Sequence, residues 1–198
     1  MITKQDYSIA ALVGFLVGVF AIPTLVNVGI KNQLILIVLP AAAAVLFAIG
    51  MMVGKVLSQR FLFMVQFTKF VAVGFLNTAI DFGILNMLSL ISGSTAGLII
   101  AGVNIPGFLV AVFNAYFWNK FWVFQATATK SVFQDLPKFL AVTVGGLIIN
   151  STIVYVLTTF STPLVHDPKL WLNIAKVAAT AVALFWNFFG YKFVVFRR

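Results

Sequence analysis

Cysteine is missing from this 198-residue chain, acids number four and histidine one. Without cysteine there is neither a disulfide framework nor a thiolate metal site. Four scattered carboxylates and one imidazole leave little for metal or acid–base catalysis, so no metal, no cofactor and no enzymatic activity is expected. Charge is scarce altogether, at 9% of residues against 62% hydrophobic, with a mean hydropathy of +1.10. Soluble domains carry about 25% charged residues, and so few charges cannot clothe a water-facing surface. The chain therefore reads as an all-α integral membrane protein with no room for a separate soluble domain. The opening MITKQDY is barely basic, and no small-x-small site closes the apolar run behind it, so a cleavable signal peptide is not expected.

Six apolar runs are long enough to span a bilayer, which takes about 20 residues each. They cover Ser8 to Gly29, Leu34 to Gly54, Phe70 to Ile91, Ala96 to Trp118, Phe139 to Phe160 and Leu170 to Tyr191. Val56 to Thr68, apolar but carrying Arg60 and Gln66, reads as an interfacial helix or a helical extension. The 13 basic residues far outnumber the acids, which in a membrane protein points to orientation and anionic lipid, not to nucleic acid. Lys4, Lys55, Arg60, Lys69, Lys120, Lys130, Lys138, Lys192, Arg197 and Arg198 fall on one side of the spans. Lys31 and Lys169 fall on the other, and Lys176 lies within a span. The basic side is cytoplasmic by the positive-inside rule, so both termini are expected inside.

The last four spans repeat. Lys69-Phe70-Val71-Ala72-Val73 returns as Lys138-Phe139-Leu140-Ala141-Val142. Phe117-Trp118-Asn119-Lys120-Phe121-Trp122-Val123-Phe124 returns, at nearly the same offset, as Phe189-Gly190-Tyr191-Lys192-Phe193-Val194-Val195-Phe196. Each copy reads as a helical hairpin entering and leaving on the cytoplasmic side, and two such copies make a parallel repeat of the kind some transporters use. The expected organisation is two extra spans with a linker in residues 1–66, then a four-helix domain in 67–198 whose copies are 67–124 and 136–198.

These ordered motifs, KFVAVGFLNTAID, FWNKFWVF, KFLAV and NFFGYKFVVF, resemble the GtrA-like family of small membrane proteins over about residues 67–198. The resemblance implies movement of polyprenyl-phosphate-linked sugars across the cytoplasmic (inner) membrane for cell-surface polysaccharide glycosylation, beside a membrane-bound glycosyltransferase. Two departures stand out. The family core has four spans, so the first two here are additional. The second terminal motif reads Gly190-Tyr191-Lys192 where the first has Trp118-Asn119-Lys120.

Polar residues inside the spans are the candidate substrate path. Asp81 lies twelve residues from both Lys69 and Gly93, roughly 18 Å from either end of its span. A carboxylate at that depth is expected to face the bundle or a water-filled cavity. Asn77 and Asp81 share a helical face with Gly74. Asn104, Gly107, Ala111, Asn114 and Trp118 form a second stripe; Thr143, Gly146 and Asn150 a third; Asn173, Lys176, Thr180, Ala183 and Asn187 a fourth. The repeat sets Asp81 over Asn150 and Asn104 over Lys176. One reading makes this set a path for a polar headgroup, with Lys176 on phosphate or sugar oxygens and Asp81 on hydroxyls. The plainer one has Lys176 snorkelling to the outer headgroups and the asparagines as interhelical glue. On the cytoplasmic side Lys69, Lys120, Lys138 and Lys192, with Trp118 and Trp122, form candidate capture sites for the lipid phosphate. A simple aromatic belt with positive-inside charge accounts for the same residues. Gly14-x-x-x-Gly18 and Gly50-x-x-x-Gly54 suit close helix packing, either onto the repeat or between chains of a homo-oligomer.

Three functions fit the residues: a lipid-linked sugar translocase, a non-transporting scaffold for a glycosyltransferase, and a small-multidrug-like antiporter with Asp81 as its proton or cation switch. The other acids, Asp6, Asp135 and Asp167, fall outside the expected spans and do not cluster in sequence.

Overall fold

The computed structural model describes residues 2–93, 97–127, 131–159 and 168–197. Within these, the side chains of 97–105, 108, 151, 154–155, 158–159 and 168–177 lie outside the description. Among the described residues, six long helices carry the chain: α1 (Lys4–Asn27), α2 (Gln33–Ser58), α3 (Met64–Ser92), α4 (Gly97–Trp118), α5 (Leu136–Thr159) and α6 (Pro168–Gly190). No strand occurs among the described residues. All six expected spans are thus helical. The apolar linker Val56 to Thr68 divides between the last turn of α2 and the first turns of α3, joined by a turn at 59–63, so no separate interfacial helix exists there.

The helix ends follow from local chemistry. Thr3 caps α1 through a reciprocal box with Asp6, which satisfies exposed N–H groups of the first turn. Asn32 accepts from the amides of Leu34 and Ile35 at the start of α2. Gly93 closes α3 in the left-handed region, at φ 65°. Pro23, Pro40 and Pro106 lie inside helices, as spanning helices tolerate.

The helix α4 passes into a five-residue π-helix, Asn119–Val123, and α6 into another, Tyr191–Val195. The amide of Phe124 donates to the Asn119 carbonyl at 2.9 Å, and that of Phe196 to the Tyr191 carbonyl at 2.8 Å. The two π-helices occupy equivalent places in the two copies of the recurring motif.

Two compact units result, Met1–Gln125 and Ala126–Arg198. In the first, α1 packs on α2 and α3, and α3 packs on α4. A Cβ added to Gly14 would stand 2.5 Å from the Ala43 carbonyl oxygen, and one on Gly18 would meet the backbone of Pro40. The first Gly-x-x-x-Gly is therefore the α1–α2 seam. Gly54 meets Thr68 of α3, whereas Gly50 faces open space. Gly83 lets α3 approach the carbonyl of Phe20 in α1. Asn86 accepts from Asn27 at 2.7 Å and donates to Thr24 at 3.2 Å, tying the far ends of α1 and α3. In the second unit α5 packs on α6, with Gly145 against the Trp186 indole and Gly190 against Val142.

Apolar side chains are exposed on the outward faces, Leu34, Ile37, Leu46, Phe75 and Leu147 among them. Polar side chains such as Asn77 and Asn114 meet where two helices pack. That inversion suits a hydrocarbon solvent, in which association rests on close packing and interhelical hydrogen bonds. Among the described residues Lys4–Asn27, Gln33–Ser58, Met64–Ser92 and Ala178–Val195 are long and apolar enough to cross a membrane, and Leu136–Asn150 is a shorter apolar stretch.

Candidate functional site: a polar seam and its basic end

The α3 stripe and the α4 stripe face each other. Asn114 donates to the Asn77 side chain at 2.6 Å, and Trp118 donates to the Asn114 carbonyl oxygen at 3.0 Å. One turn further from the basic end lies Asp81. Its Oδ1 is buried and has no hydrogen-bond partner among the described residues. A Cβ on Gly107 would stand 3.2 Å from that oxygen and 2.9 Å from the Asp81 carbonyl. Gly107 therefore lets α4 close onto the Asp81 backbone and carboxylate, one residue beyond Pro106. A buried carboxylate oxygen at mid-span costs free energy unless a donor or a proton reaches it.

The seam continues towards the basic end through aromatics. The Trp118 and Trp122 rings meet edge to face at 5.5 Å. The Trp122 indole N–H donates to Asp6 Oδ1 at 3.0 Å, and Lys69 Nζ pairs with the same oxygen at 2.5 Å. Asp6 Oδ2 accepts from the Thr3 amide at 2.9 Å and hydroxyl at 3.0 Å. Lys69 also stands over the Trp122 ring, 5.8 Å from its centroid. All three side chains are buried, Asp6 and Lys69 at 4% and 3% residual exposure. Lys120, equally buried, points at Tyr116, 3.4 Å from the hydroxyl and 5.6 Å from the ring centroid.

The second unit carries a corresponding seam of its own. Asn150 donates to Thr180 at 3.3 Å, and the hydroxyls of Thr143 and Tyr191 share a hydrogen bond of 2.7 Å. Trp186 donates to the Val142 carbonyl at 3.0 Å. Gly146 lies against the Asn187 amide, whose Oδ1 is buried without a hydrogen-bond partner among the described residues. Lys192 stands over the Phe188 and Phe193 rings at 5.8 and 5.5 Å, and Lys138 is exposed. Lysine over an aromatic ring four residues earlier thus recurs at Lys120–Tyr116 and Lys192–Phe188.

Residues 69–196 match the GtrA/DPMS transmembrane-domain family. The chain belongs to that family. The uncharacterized membrane protein YngA of Bacillus subtilis (strain 168) is 27% identical over 128 residues, 65% of this chain and 77% of YngA. No solved structure matches. Membership makes this a membrane-embedded, multi-pass protein. It also implies involvement in handling lipid-linked sugars, in a family of generally non-catalytic members.

Within this GtrA/DPMS domain the structure brings Asn77, Asp81, Asn114 and Trp118 into one seam, and Asn150, Thr180 and Asn187 into another. The side chains of Asn104 and Lys176 lie outside the described residues, as do Lys130, His166 and Asp167. The basic candidates differ in setting. Lys69 and Lys120 are buried and engaged, Lys192 is half-buried over its rings, and Lys138 is open. Sequence reasoning missed Asp6, Tyr116 and the Thr143–Tyr191 pair. Thr3-x-x-Asp6 is legible as a capping box, but no local signal links Asp6 to Lys69 and Trp122, which lie far along the chain.

Proposed function

We propose that this chain is a translocase that moves polyprenyl-phosphate-linked monosaccharide from the cytoplasmic to the outer leaflet for cell-surface polysaccharide glycosylation. Family membership supports the substrate class. The observation that carries the reading is Asp81: a buried carboxylate oxygen without a partner among the described residues, facing a glycine at mid-span. Such an acceptor suits sugar hydroxyls, which donate to carboxylates and amides alike. Asn77 and Asn114 extend the row of polar groups towards the basic end, and Asn150, Thr180 and Asn187 supply a matching row in the second hairpin. We take Asn104 and Lys176 to complete the path, with the prenyl tail remaining in lipid throughout.

In this reading the basic end is cytoplasmic, both termini lie inside, and residues 67–198 are two copies of one hairpin. The paired π-helices and the paired lysine–aromatic contacts support the duplication. Lys69, Lys120, Lys138 and Lys192, with Trp118 and Trp122, would receive the lipid phosphate as it leaves a membrane-bound glycosyltransferase in the inner membrane, with anionic lipid around them.

The test is translocation in liposomes holding only this protein and a short-chain polyprenyl-phosphate sugar, followed with an impermeant sugar-oxidising reagent. Wild type is expected to move the headgroup and a folded Asp81→Asn variant to move it more slowly. Crossing at the same rate in both would remove Asp81 from the path. Absence of crossing in folded wild type would favour the scaffold.

A further inference from the structure

Lys69 and Trp122 donate from two different elements, α3 and the π-helix that closes α4, to a single oxygen. Two such donors converging on one point suit an anion, here the Asp6 carboxylate. The donors belong to the family-matched segment, which begins at Lys69; the acid belongs to α1, outside that segment. We propose that Asp6 is a tethered anion that occupies a phosphate site at Lys69 and Trp122, and that an incoming phosphate displaces it, releasing the first turn of α1. The inference rests on the proposed handling of a phosphate-bearing lipid.

Three features favour a site over a plain clasp. Lys69 also contacts the Trp122 ring directly, a cation–π contact that does not run through Asp6 and that favours keeping the two donors together for the next occupant when the carboxylate leaves. A phosphate oxygen accepts charge-assisted hydrogen bonds from Lys as a carboxylate does, and offers further oxygens besides. The site also adjoins the seam: Trp122 meets Trp118, which donates to Asn114, which donates to Asn77. An anion seated at Lys69 therefore lies at one end of the row of polar groups that runs to Asp81. The rest of α1 is anchored elsewhere, by Gly14 and Gly18 on α2, Phe20 on Gly83, and Asn27 on Asn86. Its first turn can lift while the helix stays docked.

The experiment measures binding of farnesyl phosphate to the purified full chain, with farnesol and inorganic phosphate as controls. Asp6→Asn removes the competing charge but keeps an oxygen for the Thr3 cap. It is expected to bind farnesyl phosphate about tenfold tighter than wild type, and Lys69→Gln about tenfold weaker, the scale of one charge-assisted hydrogen bond. Farnesol should not discriminate among the three. Competition by inorganic phosphate would uphold the site with a free anion as occupant, and lack of competition would uphold it with the lipid. Equal affinity in wild type and a folded Asp6→Asn overturns displacement, and unchanged affinity in Lys69→Gln overturns the site. A second readout leaves Asp6 in place. Ile2 is buried beside the cap, and the chain has no other thiol, so maleimide labelling of Ile2→Cys should accelerate several-fold with farnesyl phosphate. No acceleration at saturating ligand also overturns displacement. The translocase reading fails separately, by absence of headgroup crossing in liposomes whatever the binding results.

Discussion

Asn114 donates its amide to Asn77 across the α3–α4 seam at 2.6 Å while its carbonyl oxygen accepts from Trp118 at 3.0 Å. Both ends of one side chain are thus committed, one between helices and one along its own helix. Interhelical hydrogen bonds in membranes average about 0.6 kcal/mol and reach about 1.7 kcal/mol. A double-mutant cycle of Asn77→Leu and Asn114→Leu, read by unfolding in mixed micelles, should return a coupling in that range. Zero coupling would mean that the two asparagines serve something other than the fold.

Gly107→Ala should slow headgroup crossing and cost about 1–3 kcal/mol of stability, the usual penalty of overpacking. Its methyl would press on the Asp81 backbone at 2.9 Å, and a carbonyl cannot swing aside as a side chain can. Gly74→Ala is the control. It faces open space within α3, where alanine is favoured over glycine by roughly 0.5–1 kcal/mol. Unfolding midpoints of the two variants should move in opposite directions, and only Gly107→Ala should slow crossing.

Lys69→Met leaves Asp6 buried with no cation, which should destabilise the chain by about 3–5 kcal/mol. The pair Asp6→Asn with Lys69→Met removes both charges and should recover most of that loss. Thermal unfolding of the single and double variants decides it. A double variant as unstable as Lys69→Met alone would show that the ion pair is not the source of the cost.

Gly18→Leu should separate α1 from α2, because its side chain would run into the Pro40 backbone, and Gly50→Leu should be tolerated in the same helix pair. A loss of roughly 1–3 kcal/mol at the first position and less than about 0.5 kcal/mol at the second is expected. If Gly50→Leu instead changes the mass of the particle in detergent, that open face is an interface between chains.

Much of this arrangement is legible in the helical spacing of the sequence. The stripe Asn104, Gly107, Ala111, Asn114, Trp118 and the pair Asn77, Asp81 follow from that spacing alone, and the structure sets Gly107 on Asp81 and Asn114 on Asn77. The recurring motif leads to two π-helices at the recurring positions. Less legible is the state of the lysines. Lys69, Lys120, Lys138 and Lys192 look alike in sequence, each beside an aromatic residue. Lys120 and Lys192 each stand over a ring four residues earlier and still differ in burial, and Lys69 takes a partner residue from elsewhere in the chain. For Lys69 that residue is Asp6, which by position alone is one more polar residue ahead of a span.

Hydropathy and spacing along the chain are enough to make this a multi-pass helical membrane protein of the GtrA/DPMS family and to say which side chains share a helical face. Hydropathy and the 3.6-residue period are local properties and need no partner helix. Tertiary structure alone decided which faces meet. It put the first glycine pair on α2, left Gly50 open, and seated a carboxylate from α1 on the lysine that begins the family segment. Those choices depend on sub-ångström fit between helices far apart in the chain, where a glycine admits a backbone or two donors converge on one oxygen, and no periodicity encodes that fit.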